Sequence, residues 1–241
     1  MAIKIVTAPT AEPVTITEAK SQLRVDIGDD DAFIAEQIKA AREDCASFQN
    51  RCYYTTVYEL WLDEFPEDDH IDIPLPPLQV PVVTAGAFVI GMTYRILTVG
   101  TTNFTLIGAA ANTAGTVFTA TGAGSGTGTA TASVIIRYYG TDNTEYAMSG
   151  ADYLADDKSE PGRVVLAYGC QWPSTSLRTA NAVCITFTAG YSSVSDIPQV
   201  VKQAILLLVG HYYEHRESVT DKQMVELPQA VESLLWKNRV F

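Results

Sequence analysis

The chain has 241 residues, 47% of them apolar and 18% charged, which is enough to enclose a core and too apolar for a disordered chain. Its 16 basic residues stand against 28 acidic ones, a net charge of −12, so it lacks the basic face needed to wrap nucleic acid through phosphates. An acidic surface would still suit a path along which DNA slides without sticking.

The N-terminus, Met1 to Pro9, holds one lysine and no long apolar run, unlike a signal peptide. The longest apolar run, Ala204 to Val209, is too short to span a bilayer, so no membrane is expected. The four cysteines, Cys45, Cys52, Cys170 and Cys184, form no C-x-x-C pair. With Cys45 and Cys52 about 10 Å apart on one predicted helix, they are too distant to bridge. Reduced, buried thiols in a protein made in the cytoplasm are the expectation.

In chain order, the first 55 residues read as helical. Thr15-Ile16-Thr17-Glu18 fits a capping box, with a short helix ending near Val25. Asp29, Asp30 and Asp31 set negative charge at the start of a second helix. Ile34, Ile38, Ala41, Cys45, Phe48 and Cys52 then recur in steps of four and three, a single apolar stripe. Thr55 to Leu62, aromatic and β-branched, reads as a strand. An acidic turn from Asp63 to Asp69 leads to Pro74-Leu75-Pro76-Pro77-Leu78, whose prolines forbid a helix. Further strands are expected at Ser133 to Tyr139, Arg163 to Leu166 and Ala182 to Ala189.

Between Thr84 and Ser133, Arg95 is the only charged residue in 50. Apolar anchors (Phe88, Tyr94, Ile96, Phe104, Ile107, Phe118) recur there among Thr, Ala and Gly, which suggests a small inserted β-module rather than a low-complexity loop. Its strands are expected at Tyr94–Val99, Phe104–Ile107 and Thr116–Thr121, with Gly122 to Gly128 its loosest part. Asp196-Ile197-Pro198 then starts a helix from Gln199 to Glu217. Val201, Ile205, Leu208 and Tyr212 form one face of it, and Leu206, Leu207 and Val209 spread apolar character around it, which suits either the central helix of the core or a helix in a subunit contact. A polar connection spans 218–227, and Pro228 to Trp236 forms a last short helix. The tail from Trp236 to Phe241 mixes aromatic and basic residues.

The sharpest catalytic signal is His211-Tyr212-Tyr213-Glu214-His215, the H-x-x-E-H of inverted zinc peptidases. Those enzymes take a further acidic ligand from a distant downstream helix. Here the later carboxylates Glu217, Asp221, Glu226 and Glu232 are mostly local, so a packed amphipathic helix is the better reading. The cluster Asp63, Glu64, Glu67, Asp68, Asp69 and Asp72 lacks EF-hand spacing. Gly122-Ala123-Gly124-Ser125-Gly126 is neither a nucleophile elbow nor a phosphate loop. No catalytic residue, metal or cofactor is therefore assigned.

Several segments together resemble the head–tail connector (adaptor) proteins of tailed bacteriophages and gene transfer particles. They are Pro13-Val14-Thr15-Ile16-Thr17-Glu18-Ala19-Lys20 with Leu23-Arg24-Val25, the Asp29-Asp30-Asp31 helix start and Pro74-Leu75-Pro76-Pro77-Leu78-Gln79. They continue with Ser159-Glu160-Pro161-Gly162-Arg163-Val164, Trp172-Pro173, Phe187-Thr188-Ala189-Gly190-Tyr191, Ile197-Pro198, Ala204 through His211, and Glu226-Leu227-Pro228. The departure is at residues 81–132, where relatives pass almost directly into a strand like Val134 to Tyr139. That stretch is similar to a small β-module recurring in phage structural proteins.

The resemblance implies an α+β fold: a discontinuous helical bundle core (1–55 with 195–241), a β-rich region (56–84 with 133–194) and an all-β insert (85–132). It implies a virion protein, assembled in the bacterial cytoplasm, whose ring of copies, commonly twelve, docks under the portal protein. Such a ring extends the DNA channel and receives a stopper or tail-completion protein. Val201, Ile205, Leu208 and Tyr212 are then candidate ring contacts, and Trp236, Arg239, Val240 and Phe241 a candidate docking tail. The rivals are a tail or adhesin component that binds through the insert and, remotely, a zinc hydrolase.

Overall fold

The computed structural model describes residues 1–132, 134–215 and 228–240. It is an α+β structure rich in antiparallel strands that divides into two compact units, one of residues 1–7, 57–73 and 78–188 and one of residues 8–56, 74–77 and 189–241.

The first unit is all β. Its strands are β1 (Ala2–Thr7), β2 (Thr56–Leu62), β3 (His70–Ile73), β4 (Leu78–Gln79), β5 (Val82–Thr84), β6 (Thr93–Thr98), β7 (Val117–Thr119), β8 (Thr129–Ala132), β9 (Ile135–Tyr139), β10 (Glu145–Ala147), β11 (Tyr153–Asp156), β12 (Gly162–Leu166) and β13 (Val183–Ala189). The main sheet runs β1-β2-β13-β9-β10, with β4 also on β13. Period-2 alternation turns Thr56, Tyr58 and Leu60 of β2 inward, and Tyr58 stacks on Phe187 of β13 at 5.5 Å. On the opposite face Trp61 stacks on Tyr139 at 6.0 Å, and the Arg178 guanidinium lies 4.1 Å from the Tyr139 ring. A second sheet, β11-β12-β3, is tied by Arg163 to Asp156 at 3.0 Å.

The third sheet, β5-β8-β6-β7, is built from the stretch of low charge that begins near Thr84. Phe88, Tyr94, Phe104 and Phe118 form its centre, with Phe88 4.9 Å from Tyr94 and Phe104 5.4 Å from Phe118. Two expectations need correction. Phe104–Ile107 is a 3-10 turn, not a strand: the Asn103 side chain accepts from the Thr105 N–H at 3.2 Å, and Gly108 closes the turn at φ 106°. Gly122 to Gly128 is not loose at its far end. Thr101 and Thr127 exchange N–H to hydroxyl bonds of 3.1 Å each, and the Gly128 N–H donates to Thr102 at 2.9 Å. A Cβ on Gly128 would lie 2.5 Å from the Val99 carbonyl, so only glycine fits. Arg95, the lone charge of this stretch, donates to the carbonyls of Gly150 and Tyr153.

The second unit is helical. It contains α1 (Ile16–Leu23), α2 (Asp31–Gln49), α3 (Gln199–Glu214) and α4 (Gln229–Leu235) among the described residues. The capping box forms: the Thr15 hydroxyl accepts from the Glu18 N–H at 3.2 Å, and the Glu18 carboxylate accepts from the Thr15 N–H at 2.7 Å. The backbone bond to that carboxylate, then the hydroxyl bond, holds Glu18 below the usual glutamate range. α1 stops at Leu23 because Arg24 turns left-handed at φ 56°.

In α2, Ile34, Ile38, Ala41 and Cys45 are buried as the stripe demands, but its next buried member is Gln49, with Phe48 only half-buried. Asn50 at φ 53° ends the helix, so Cys52 lies beyond it, not two turns along it. None of the four cysteines is in a disulfide, and burial pushes Cys45 up to about 12. Gln49 is fully buried: its Nε2 donates to the Leu235 carbonyl at 2.5 Å, and its Oε1 accepts from the Tyr53 hydroxyl at 2.6 Å. A polar residue on an apolar stripe thus ties α2 to the end of α4.

Ala2–Thr7, within the stretch expected to be helical, is a strand instead. Its partner β2 lies some fifty residues away (Lys4 pairs with Glu59), beyond any local pattern. β5, β8, β10 and β11 were likewise not expected. α3 is described to Glu214, and the anticipated helical residues Arg216 and Glu217 lie outside the described residues, as do the connection at 218–227 and Ser133.

Candidate functional site

α3 carries most of the candidate contact residues. Val201, Ile205 and Leu208 are 2%, 0% and 0% exposed, and they share one cluster with Ile34, Ile38, Ala41 and Cys45 of α2 and Val231 and Leu235 of α4. Of the two places open to this face, the core and a subunit contact, Val201, Ile205 and Leu208 occupy the core. Tyr212 stands at its end, with its hydroxyl donated to the Asp44 carboxylate of α2. Burial, then the bond to Asp44, pushes the Tyr212 phenol well above its ordinary value. Tyr213 makes the equivalent bond to Asp30 and packs on Phe33 at 6.2 Å. Both acids were missed as tyrosine partners, because nothing local links residues so far apart in the chain.

The C-terminal tail is folded onto the end of α2. After the 3-10 turn Trp236–Asn238, the Val240 N–H donates to the Gln49 carbonyl at 3.0 Å, and Asn50 Nδ2 donates to the Val240 carbonyl at 2.8 Å. A helix C-terminus leaves carbonyls unsatisfied, and the tail meets one of them. The Arg239 guanidinium lies 4.7 Å from the Phe48 ring and 5.5 Å from that of Trp236. Trp236 remains 57% exposed. The tail is therefore a fixed aromatic and cationic knob. Phe241, its last candidate residue, lies outside the described residues.

His211, Glu214 and His215 are exposed at the end of α3, with the two imidazoles 4.7 Å apart. No group of three metal-binding side chains occurs among the described residues. Of the later carboxylates, Glu217, Asp221 and Glu226 lie outside them. The acidic loop is braced as a loop: Asp63 accepts from the Asn181 N–H at 2.8 Å, and Trp172 donates to the Asp68 carbonyl at 2.7 Å. No helix among the described residues is long and apolar enough to cross a membrane.

A different surface stands out in the β unit. All six residues of β1 are exposed, including Ile3, Ile5 and Val6 at 40%, 55% and 50%. The alternation of Ile3 and Ile5 with Lys4 was a legible strand signal. β10 is exposed throughout. The two strands are the opposite edges of the main sheet.

No family model matches the sequence, and a search of curated proteins gives no match. Solved structures do match over the whole fold. They include a chain from the virion of a native gene transfer agent particle (TM-score 0.64, 19% identity). Two others come from the neck of the empty particle computed with C6 symmetry (0.65, 19%) and the neck of the native particle computed with C12 symmetry (0.63, 18%). Each match covers 100% of this chain and 96% of the other. At this identity the likeness is one of fold.

Proposed function

We propose that this chain is a head–tail connector subunit of a phage-like particle. Copies form a ring, commonly of twelve, under the portal protein; the ring prolongs the DNA channel and receives a stopper or tail-completion protein. The carrying observation is the end-to-end fold match to neck chains of a gene transfer agent, obtained with sixfold and twelvefold symmetry. The match extends across both units, module included. The net charge of −12 suits a channel that DNA crosses without being held. The fixed knob of Trp236 and Arg239 is the portal-side docking element in this reading, since Trp and Arg concentrate binding energy. The protein is a structural virion component without catalysis, metal or cofactor.

Negative-stain imaging of the purified chain with its portal protein tests the proposal. The expected result is an added ring of density on one face of the portal. A portal left bare at saturating subunit overturns it. Tight stoichiometric zinc binding would instead favour the hydrolase reading, and cell or glycan binding by the chain the adhesin reading.

A further inference from the structure

The ring reading leaves open which surfaces join one copy to the next, since Val201, Ile205 and Leu208 are consumed inside the subunit. We propose that the β1 edge of one subunit pairs with the β10 edge of its neighbour, so that the main sheet continues from copy to copy. This rests on the ring reading and deepens it.

A ring needs two different, mutually complementary patches on opposite sides of the subunit. The order β1-β2-β13-β9-β10 supplies them as the two ends of one sheet. Sheet edges carry unpaired N–H and C=O groups that recruit another strand. On β10 the register identifies them: Gly140 N–H bonds to the Thr144 carbonyl and Met148 N–H to the Ile136 carbonyl, with Tyr146 opposite Tyr138 between them. Antiparallel alternation then turns the backbone groups of Glu145 and Ala147 toward the open side.

The faces also correspond. Ile3 and Ile5 pair with Leu60 and Tyr58, both buried on the core side. Tyr146 pairs with Tyr138, and Tyr138 with buried Val183, so it lies on that same side. Lys4 pairs with Glu59, and Glu145 with Tyr139, on the outer side. A sheet continued with its faces preserved brings Ile3 and Ile5 to Tyr146, and Lys4 to Glu145. Apolar meets aromatic on one face and cation meets anion on the other. Lys4 and the bulge between Ile5 and Thr7 are also devices that discourage indiscriminate edge pairing. They favour an edge bearing a carboxylate over a second β1.

The test is cross-linking of the full-length chain carrying Lys4→Cys and Ala147→Cys, both exposed positions, by a short bismaleimide. It is run on concentrated free protein and on portal-bound protein, beside each single variant and the unaltered chain. The expected result is a ladder of multimers beyond the dimer in the double variant, at least tenfold above either single variant. Dimers from Lys4→Cys alone would mean a twofold β1–β1 contact and overturn the proposal. A portal-bound ring without the ladder overturns the edge pairing and leaves the connector reading standing. Neither ring nor ladder overturns both.

Discussion

In the helical unit, Ile34 and Ile38 of α2 share a core with Ile205 and Leu208 of α3, which arrive from the other end of the chain. In the β5-β8-β6-β7 sheet, taken as a module, Phe88, Tyr94, Phe104 and Phe118 close a core drawn from one contiguous stretch. The module's ends also meet, since Val82 pairs with Thr131 and the Ala132 N–H donates to the Pro81 carbonyl at 2.9 Å. The first core closes a loop of most of the chain before any contact rewards it, while the second closes short loops only. A module that returns the chain to its point of departure can be gained without disturbing its host's connectivity. The helical unit has no such freedom, because neither of its halves can bury its apolar face alone.

The largest expected effects separate the two by deletion. Replacing residues 85–128 with Asn-Gly, a turn suited to joining β5 directly to β8, should leave the helical circular dichroism signal of the protein intact. Removing residues 197–241 should abolish most of that signal, because the α2 stripe then faces water. Helicity retained after the second deletion would break the comparison.

Point substitutions sharpen it. Phe104→Ala should cost about 3–5 kcal/mol and Ile205→Ala about 2–5 kcal/mol, the range for emptying well-packed cores. Hydrogen exchange should show the first loss confined to module amides and the second spread over α1 to α4. Exchange rising equally everywhere in both variants would mean one cooperative core.

Helix capping gives the smallest effect. Thr15→Ala should cost about 1 kcal/mol, read as a fall in the denaturant midpoint of the helical signal. Glu18, the other half of the box, is held below its ordinary value in the folded state. Its contribution is therefore complete above the unfolded glutamate pKa of about 4.3 and is lost as pH falls through the lower folded value. The deficit of Thr15→Ala should accordingly shrink as pH falls below the unfolded glutamate value of about 4.3, and a constant deficit would show that Glu18 is not coupled to the cap.

Much of the fold was legible because its signals are local. The capping box at Thr15, the α2 stripe from Ile34 to Cys45 and the strand at Thr56–Leu62 each need only neighbours within a few residues. The 3-10 turn at Phe104 was misread because its apolar residues suit a strand equally well, and the Asn103 side chain decides the matter. The candidate site was less legible. Periodicity marks Val201, Ile205 and Leu208 as one apolar face of α3, and nothing in periodicity says whether a neighbouring subunit or a distant segment covers it.

By itself, then, the sequence determined the helices, most of the longer strands, the nearly charge-free stretch between Thr84 and Ser133, and the acidic character of the whole. Tertiary structure alone decided that α2 covers α3, that the tail from Trp236 to Val240 caps the end of α2, and that Ala2–Thr7 takes β2 as its partner and leaves its outer edge exposed. The physical reason is range. Hydrogen bonding within a helix and burial on a stripe act between near neighbours, whereas the choice of partner for a face or an edge depends on residues that only folding brings together.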